Sequence, residues 1–85
     1  MREAHFTRLA YAQYQEWKKA DTRIFKRIQK LLNAIDENPF KGIGKPEPLK
    51  NDFKGYWSRR INHEHRLVYK VMADEILVIA CKYHY

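Results

Sequence analysis

The chain has 85 residues, which allows one domain with one small core. Hydrophobic residues make up 45% of it and aromatic residues 14%, a composition that excludes a disordered tail. The formal net charge of +7 favours a polyanionic partner, such as RNA, DNA, an acidic protein segment or anionic lipid.

The compartment is indicated by cysteine usage and by the N-terminal sequence. Cys81 is the single cysteine, so no internal disulfide can form and no oxidising compartment is needed. The opening string MREAHFTRLAYAQYQ lacks the apolar core of a signal peptide, and no apolar run reaches the length of a membrane span. These features predict a cytoplasmic protein with one domain over residues 1–85 and no membrane contact.

Two helices are predicted in the first half of the chain, after a short edge strand over residues 2–6. Thr7 caps a helix that runs through about residue 19, and Asp21 caps a second helix that ends before Pro39. Helical spacing defines the apolar faces of both, with Ala10, Tyr14 and Trp17 in the first and Ile24, Ile28, Leu31, Leu32 and Ile35 in the second.

The second helix also carries a basic face. At about 100° per residue, four cationic side chains cluster roughly opposite the apolar stripe. They are Arg23, Lys26, Arg27 and Lys30. A solvated helix face and a contact with nucleic-acid backbone are both consistent with this pattern.

The second half of the chain becomes strand-like after a loop over residues 40–52, which is rich in Gly, Pro and Asn. Strands are predicted over residues 56–61, 66–72 and 76–81, with turns around His63 and over residues 73–75. Helices followed by a meander predict an α+β fold, with two N-terminal helices packed on one face of a small twisted antiparallel sheet.

Glu47 lies between Pro46 and Pro48 in the string KPEPLK. Each proline fixes its own φ and favours extended geometry in the residue before it. The carboxylate is therefore held on a stiff loop, which suits a positioned catalytic group. A rigid connector whose glutamate faces water is the alternative interpretation.

Basic and aromatic residues accompany this loop and the strand after it. Guanidinium groups bind phosphate in a bidentate manner and stay charged at any working pH. The candidate phosphate ligands are Lys45, Lys50, Arg59, Arg60 and Arg66, and the candidate base-stacking residues are Tyr56 and Trp57. The alternative is the polar face of a half-exposed sheet, with the aromatic residues in the core.

The chain ends in KYHY directly after an apolar strand, so His84 and Tyr85 follow a strand end, where active sites often lie. An imidazole can donate or accept a proton near neutral pH. A frayed terminus is the alternative. His63 and His65 are spaced like a metal-binding pair, but no third ligand accompanies them, and no metal site is predicted.

Four separated strings occur in order along the chain: GIGKPEPLK, GYWSRRI, EHRLVYKV and the terminal KYHY. From about residue 39 to residue 85 they resemble the YoeB toxins of the RelE superfamily, with the same spacing throughout. The helices resemble the family more loosely, through the region of Trp17 and the string IFKRIQKLLNAI. The opening MREAHFT is less apolar than the family's first strand.

This resemblance implies a RelE-like, microbial-ribonuclease-like fold and a toxin of a type II toxin–antitoxin pair. Such a toxin is an endoribonuclease that cleaves mRNA in the decoding site of the ribosome and inhibits translation. The implied partners are a YefM-type antitoxin, mRNA on the ribosome, ribosomal RNA and a second copy in a homodimer. Operator DNA would be bound only through the antitoxin complex, and the basic face of the second helix would contact ribosomal RNA.

The resemblance also implies roles for individual residues. It assigns the general base to Glu47, the general acid to His84, transition-state stabilisation to Arg66, and an active-site or base contact to Tyr85. Two further positions match family residues that bind or activate the scissile phosphate, namely Lys50 and Arg60.

The chemistry of RNA is consistent with this residue set. RNA carries its own nucleophile, the 2′-hydroxyl, so a protein must only remove that proton, protonate the leaving 5′-oxygen and stabilise charge on phosphorus. A carboxylate, an imidazole and guanidinium groups suffice for these steps. We therefore expect no metal and no cofactor, and products with 2′,3′-cyclic phosphate and 5′-hydroxyl ends.

Two other functions remain open at this point. A non-catalytic RNA- or DNA-binding module would explain the charge and the aromatic residues, but its phosphate affinity would be weakened by the rigid carboxylate of Glu47. A toxin relative without activity would keep the fold and the antitoxin contact. The presence of Glu47, Arg66 and His84 argues against that second alternative.

Strand register predicts which candidate residues share a face. If residues 73–75 form a three-residue turn, Arg66 pairs with Lys82 and shares a face with His84, whereas a two-residue turn places them on opposite faces. Arg60 joins the face of Arg66 only if the loop around His63 has an odd number of residues or contains a bulge.

Overall fold

The computed structural model, which describes residues 2–83, has two helices and five strands. In chain order the elements are β1 (Glu3–Phe6), α1 (Arg8–Ala20), α2 (Thr22–Glu37), β2 (Glu47–Pro48), a 3-10 turn (Asn51–Phe53), β3 (Tyr56–Arg60), β4 (Arg66–Val71) and β5 (Glu75–Ala80). The strands form one sheet in the order β1-β5-β4-β3-β2. This arrangement confirms the predicted α+β fold.

Both helices begin and end where the sequence predicts. The Thr7 hydroxyl accepts the backbone N–H of Ala10 at 3.2 Å, and the Asp21 carboxylate accepts that of Arg23 at 3.0 Å. Each cap satisfies a backbone donor that the first turn of a helix leaves unpaired. Asn38 ends α2 in extended geometry, as expected for a residue before proline.

The core lies between the helices and one face of the sheet. Ile28, Leu31 and Ile35 of the predicted α2 stripe are buried, and Ile24 and Leu32 pack at its margin. The sheet contributes Leu67, Tyr69, Ile76, Val78 and Cys81 to the same cluster. Truncating a fully buried residue of this kind, such as Leu31, to alanine costs roughly 3 kcal/mol of folding free energy.

β1 corrects one detail of the predicted sheet, because it pairs parallel with β5. Glu3 lies opposite Glu75 and Phe6 opposite Val78, so the sheet is mixed rather than wholly antiparallel. β1 lies at one edge of the sheet. The helices α1 and α2 follow it in the chain and lead to β2, which lies at the opposite edge. Side-chain alternation gives the buried face of a strand but not the direction of its partner.

The turn between β4 and β5 has two residues instead of the predicted three. The N–H of Met72 donates to the carbonyl of Glu75 at 2.9 Å, which leaves Ala73 and Asp74 as the turn. A turn of this length alone would place the side chains of β5 on the opposite face of the sheet from the one predicted.

A register shift within β4 and β5 reverses the register a second time. Tyr69 lies opposite Val78, but Val68 lies opposite Ala80, so Ile79 is an extra residue on β5. A bulge of this kind moves all later side chains by one position. The paired register ends at Val68 and Ala80, so the predicted pairing of Arg66 with Lys82 is not part of it, and the N–H of Arg66 donates instead to the carbonyl of Tyr83 at 2.8 Å.

Candidate active site

The sheet has a core face, which packs on the helices, and an outer face, which points away from them. Leu67 and Tyr69 belong to the hydrophobic core, so alternation places Arg66, Val68 and Lys70 on the outer face. Their register partners on β3 share that face, and these are Arg60, Ser58 and Tyr56.

Glu47 lies at the margin of this outer face. It belongs to the two-residue strand β2 and pairs with Ser58 of β3, so its exposed side chain shares the outer face with Ser58 and Val68. The N–H of Leu49 donates to the carbonyl of Tyr56 at 2.9 Å and extends this pairing. Glu47 is therefore held by sheet hydrogen bonds as well as by its flanking prolines.

The chain just before Glu47 packs closely against β3. The carbonyl of Gly44 accepts the N–H of Arg60 at 2.6 Å, and a Cβ at Gly44 would lie 2.8 Å from the Cδ2 atom of Leu31. Its φ of +83° lies in the left-handed region, so glycine is required both for space and for conformation. Lys45 follows with an exposed side chain and a φ of 49°, and the approach to Glu47 is thus fixed.

Arg60 and Arg66 are brought together by the loop between β3 and β4. They are register partners, and the loop that joins them spans residues 61–65. Five residues is an odd number, which meets the condition predicted for placing both arginines on one face.

The guanidinium group of Arg66 is oriented by backbone carbonyls. Its Nη1 atom donates to the carbonyls of Asn62, His63 and His65 at 2.9, 3.3 and 3.1 Å. Within residues 2–83 the structure shows no acceptor for its Nε and Nη2 atoms. One part of the guanidinium group thus fixes the side chain, while the other part is available to an anion.

Glu47 and Arg66 are separated by a span that fits one phosphodiester. They lie two strands and two residues apart on the same face, which places their Cα atoms roughly 12 Å apart from strand spacing and rise. Side chains that converge from these positions can contact a phosphate and its neighbouring 2′-hydroxyl. Arg60 lies between them on β3, and Lys50 follows β2 with an exposed side chain.

Arg59 was predicted to bind phosphate, and the structure corrects this assignment. Its side chain is fully buried on the core face, where its Nη atoms donate to the carbonyls of Asn38, Lys41 and Ile43 at 2.6, 3.0 and 3.1 Å. Its Nε atom donates to the Tyr69 hydroxyl at 3.1 Å. With these donors used internally, Arg59 attaches the chain that follows α2 to the sheet and cannot reach RNA.

Trp57 is also on the core face and not beside Glu47. It packs against the core cluster, and its ring centroid lies 5.0 Å from that of Phe40. The aromatic residue on the outer face is Tyr56, with the Nζ atom of Lys70 5.6 Å from its ring centroid. Of the two residues predicted for base stacking, Tyr56 therefore remains the candidate.

The basic face of α2 is only partly as predicted. Arg23, Lys26 and Lys30 are exposed, whereas Arg27 is half-buried on the side of the helix. Its guanidinium group donates to the carbonyls of Arg60 and Ile61 at 3.4 and 3.3 Å. Arg27 thus joins α2 to the β3–β4 loop and is not opposite the apolar stripe.

The C-terminal pair predicted for acid catalysis and base contact, His84 and Tyr85, lies outside the described residues. The prediction that Arg66 and His84 share a face therefore stays a prediction. The described chain reaches Tyr83, whose carbonyl accepts the N–H of Arg66 at 2.8 Å. The residue before the predicted acid is thus hydrogen-bonded to the backbone of the predicted phosphate ligand.

His63 and His65 have different environments. His63 is exposed, while His65 is buried and its Nδ1 atom accepts a backbone hydrogen bond from Tyr83. In residues 2–83 no three His, Cys, Asp or Glu side chains are grouped so that they could hold a metal ion. In the same range, no helix has both the length and the apolar character that a membrane crossing requires.

The fold defines the class of protein. YafQ from Escherichia coli strain BL21(DE3) shares it with a TM-score of 0.79 at 17% identity, over 99% of this chain and 94% of that one. The two proteins therefore share one fold, in which two helices pack on a mixed sheet.

Closer similarities identify the family. Residues 6–85 match the family described as the YoeB-like toxin of bacterial type II toxin–antitoxin systems. Toxin YoeB from Streptomyces coelicolor is 49% identical over 80 residues, which cover 94% of this chain and 95% of that protein. The chain therefore belongs to the YoeB toxin family of the RelE superfamily, and it is a toxin of the type II toxin–antitoxin class.

Two solved structures from Staphylococcus aureus are similar over nearly the whole chain. The YoeB dimer has a TM-score of 0.93 at 47% identity and covers 99% of this chain and 98% of its own. The YoeB–YefM complex has a TM-score of 0.91 at 45% identity and covers 100% and 99%.

Proposed function

We propose that this protein is a ribosome-dependent endoribonuclease that cleaves mRNA and so inhibits translation. The observation that carries the proposal is the placement of Glu47, Arg60 and Arg66 on one face of the sheet, the outer face. The side chains of Glu47 and Arg60 are exposed there, and the combination of carboxylate and guanidinium groups suits a reaction that removes a proton beside a phosphate.

The proposed reaction is metal-independent transesterification. Glu47 removes the proton of the 2′-hydroxyl, the 2′-oxygen forms a bond to phosphorus, and the bond from phosphorus to the 5′-oxygen breaks. His84 gives the leaving oxygen its proton, and Arg66 stabilises the added charge on the phosphoryl oxygens. The products carry a 2′,3′-cyclic phosphate and a 5′-hydroxyl.

The other proposed site residues bind the RNA around the reacting phosphate. Arg60, Lys50 and Lys45 bind the RNA backbone, and Tyr85 contacts a base or the active site. Placement of the scissile bond by the ribosome would supply the orientation that the reaction needs, which accounts for a requirement for the ribosome. No cofactor takes part in the proposed steps.

The proposed partners follow the family. The S. aureus complex of YoeB with YefM supports a YefM-type antitoxin for this chain, and the S. aureus YoeB dimer supports a homodimer. Operator DNA is bound only through the antitoxin complex, and the place of action is the cytoplasm. The exposed basic residues of α2 contact ribosomal RNA.

The test is cleavage of a translated mRNA by the purified protein with purified ribosomes, followed by analysis of the RNA ends. Glu47→Gln keeps the shape and removes the base, so we expect loss of cyclic-phosphate ends. Glu37→Gln, which neutralises an exposed carboxylate at the end of α2, is the matched control and should cleave like the parent. Binding of RNA by the parent without new cyclic-phosphate ends would favour a non-catalytic RNA-binding module instead.

A further inference from the structure

The segment that follows β5 is held on one side by α1. We call residues 81–83 the tail segment. The carbonyl of Cys81 accepts the indole N–H of Trp17 at 2.9 Å, and its N–H donates to the side-chain oxygen of Gln13 at 2.8 Å. The Nζ atom of Lys82 donates to the Glu16 carboxylate at 3.0 Å. Side chains of α1 thus replace a strand partner beyond the end of β5.

The other side of the tail segment is held by the start of β4. The carbonyl of Tyr83 accepts the N–H of Arg66 at 2.8 Å, and the N–H of Tyr83 donates to the Nδ1 atom of His65 at 2.8 Å. Both main-chain polar groups of Tyr83 are therefore bound by two consecutive residues. One of these two residues is Arg66, whose side chain is proposed to stabilise the transition state.

His65 is built into the fold in a way that fixes its ring. The residue is 6% exposed, and its ring centroid lies 4.8 Å from that of Trp17 in an edge-on arrangement. The backbone N–H of His65 donates to the side-chain oxygen of Asn62 at 2.7 Å. The Nδ1 atom of the ring points at the backbone N–H of Tyr83, which donates to it, and the Nε2 atom lies 3.6 Å from the Glu64 carboxylate.

The backbone of Tyr83 is in a conformation that needs support. Its φ is 63°, in the left-handed region that non-glycine residues adopt at a cost. Such a conformation persists where surrounding contacts determine it. The contacts at Tyr83 are the hydrogen bonds to His65 and Arg66, and they set the direction in which the chain leaves the sheet.

We propose that His65 is a positioning residue for the C-terminal pair His84 and Tyr85, and that it acts through the N–H of Tyr83. The inference rests on the proposed function, in which His84 is the general acid. His65 does not touch the RNA. Its Nδ1 atom holds the backbone of Tyr83, one residue before the proposed acid, while the adjacent Arg66 is the proposed phosphate ligand.

The experiment compares two substitutions at His65. His65→Phe keeps an aromatic ring against Trp17 but has no acceptor for the Tyr83 N–H. His65→Asn places a neutral amide oxygen close to the position of Nδ1 and restores the acceptor. His63→Phe, on the exposed neighbouring histidine of the same loop, is the matched control.

Two readouts are needed. The first is hydrogen exchange of the Tyr83 amide by NMR, which we expect to be at least 10-fold faster in His65→Phe and near the parent rate in His65→Asn. The second is the cleavage rate at saturating ribosome concentration. We expect a loss of about 10- to 100-fold in His65→Phe with little change in the half-saturating ribosome concentration, and substantial rescue in His65→Asn.

The outcomes separate this inference from the proposed function. Unchanged protection of the Tyr83 amide in His65→Phe, or lost protection with a parental cleavage rate, would overturn the positioning role. A parent that makes no cyclic-phosphate ends would refute the proposed function, and the exchange experiment would still decide whether His65 anchors the tail segment. If His65→Phe does not fold, the parent and His65→Asn decide it, because a Tyr83 amide that exchanges at the unprotected rate in either protein would overturn the positioning role.

Discussion

Arg60 and Arg66 lie directly opposite each other on β3 and β4, so two guanidinium groups occupy neighbouring positions on the outer face. Like charges in such a cross-strand pair destabilise a sheet. A bound phosphate removes that repulsion, because it pairs with both groups. We therefore expect the pair to cost some stability in the free protein and to become favourable if the proposed RNA backbone binds there.

Arg66→Gln should separate activity from stability. We expect the rate of mRNA cleavage on ribosomes to fall about 10²- to 10³-fold, as for loss of one donor to a developing oxyanion. The free energy of unfolding should change by less than about 1 kcal/mol, because relief of repulsion with Arg60 offsets the lost bonds to the loop carbonyls. Arg8→Gln, at an exposed position of α1, is the control for charge, and a parental rate in Arg66→Gln would contradict the assignment.

Arg59→Met should have the opposite profile. It leaves the buried Tyr69 hydroxyl and three part-buried backbone carbonyls without the Arg59 donors, so we expect a loss of about 3 kcal/mol in the free energy of unfolding. Arg60→Met, on the exposed neighbouring residue, should change it by less than about 0.5 kcal/mol. Urea denaturation of both variants measures the difference, and equal stabilities would mean that Arg59 is not the structural residue described above.

Removal of His84 and Tyr85 should abolish cleavage while the fold is retained. Two terminal residues contribute little to the core, so the melting temperature should fall only modestly. Loss of a general acid alone accounts for about 10²- to 10⁴-fold in rate. The measurements are cleavage on ribosomes, the melting temperature and antitoxin binding. Cleavage at the parental rate would exclude the acid role of His84, whereas unfolding would show that the end of the chain is structural.

The basic face of α2 should contribute to ribosome binding through charge. We expect simultaneous neutralisation of Arg23, Lys26 and Lys30 by glutamine to weaken association and to reduce the slope of log affinity against log salt by roughly 2–3. Arg27 is left intact because it supports the β3–β4 loop.

A second triple substitution controls for net charge in that experiment. Its positions are exposed and lie elsewhere on the surface, namely Arg8, Lys19 and Lys41. It should keep the salt dependence of the parent. If both triple variants bind alike, the basic face of α2 is only a solvated surface.

Cys81 should make the protein sensitive to alkaline pH. Burial, reinforced by the Glu16 carboxylate, raises the pKa of the Cys81 thiol from 9.0 to about 12. Between these values the unfolded chain loses the proton and the native protein keeps it, so the free energy of unfolding falls as pH rises above about 9. The contribution is fully present below that pH.

Cys81→Ala removes this dependence and is the test. Between pH 9 and pH 10 the parent should lose about 1 kcal/mol more of its free energy of unfolding than the variant does. Burial also raises the pKa of Tyr69, against the effect of Arg59, but that contribution is common to both proteins and cancels in the comparison. Parallel decline of parent and variant in urea denaturation would contradict the prediction.

The sequence predicts the helices well because their caps are local. Thr7 and Asp21 bind N–H groups within three residues, so chemistry close in the chain determines where each helix begins. The sequence also predicts that Arg59 and Arg60 point to opposite faces of the sheet, because neighbouring residues of a strand do so. The sequence alone left open which arginine is buried, because the acceptors of Arg59 lie in the distant chain after α2.

The register of the strands was harder to predict from the sequence than the boundaries of the helices. The turn at Ala73 and Asp74 and the extra residue Ile79 each shift the strands by one position, and the second shift offsets the first up to the end of β5. Neither has a distinctive local pattern. His65 was considered only as one of a pair of metal ligands, because nothing in its neighbours reveals that Tyr83 returns to it from 18 residues away.

The parallel pairing of β1 with β5 links the first strand of the chain to its last. Glu3 and Glu75 are 72 positions apart, which corresponds to about 4 to 14 s of synthesis at typical rates of translation. During that interval β1 has no partner in the sheet, and long-range pairing of this kind slows folding further. A chain whose synthesis stops before β5 lacks the partner of β1, the tail segment and the C-terminal pair. Such a fragment cannot assemble the candidate active site, so we expect the site to form only after β5 and the tail segment have been synthesised.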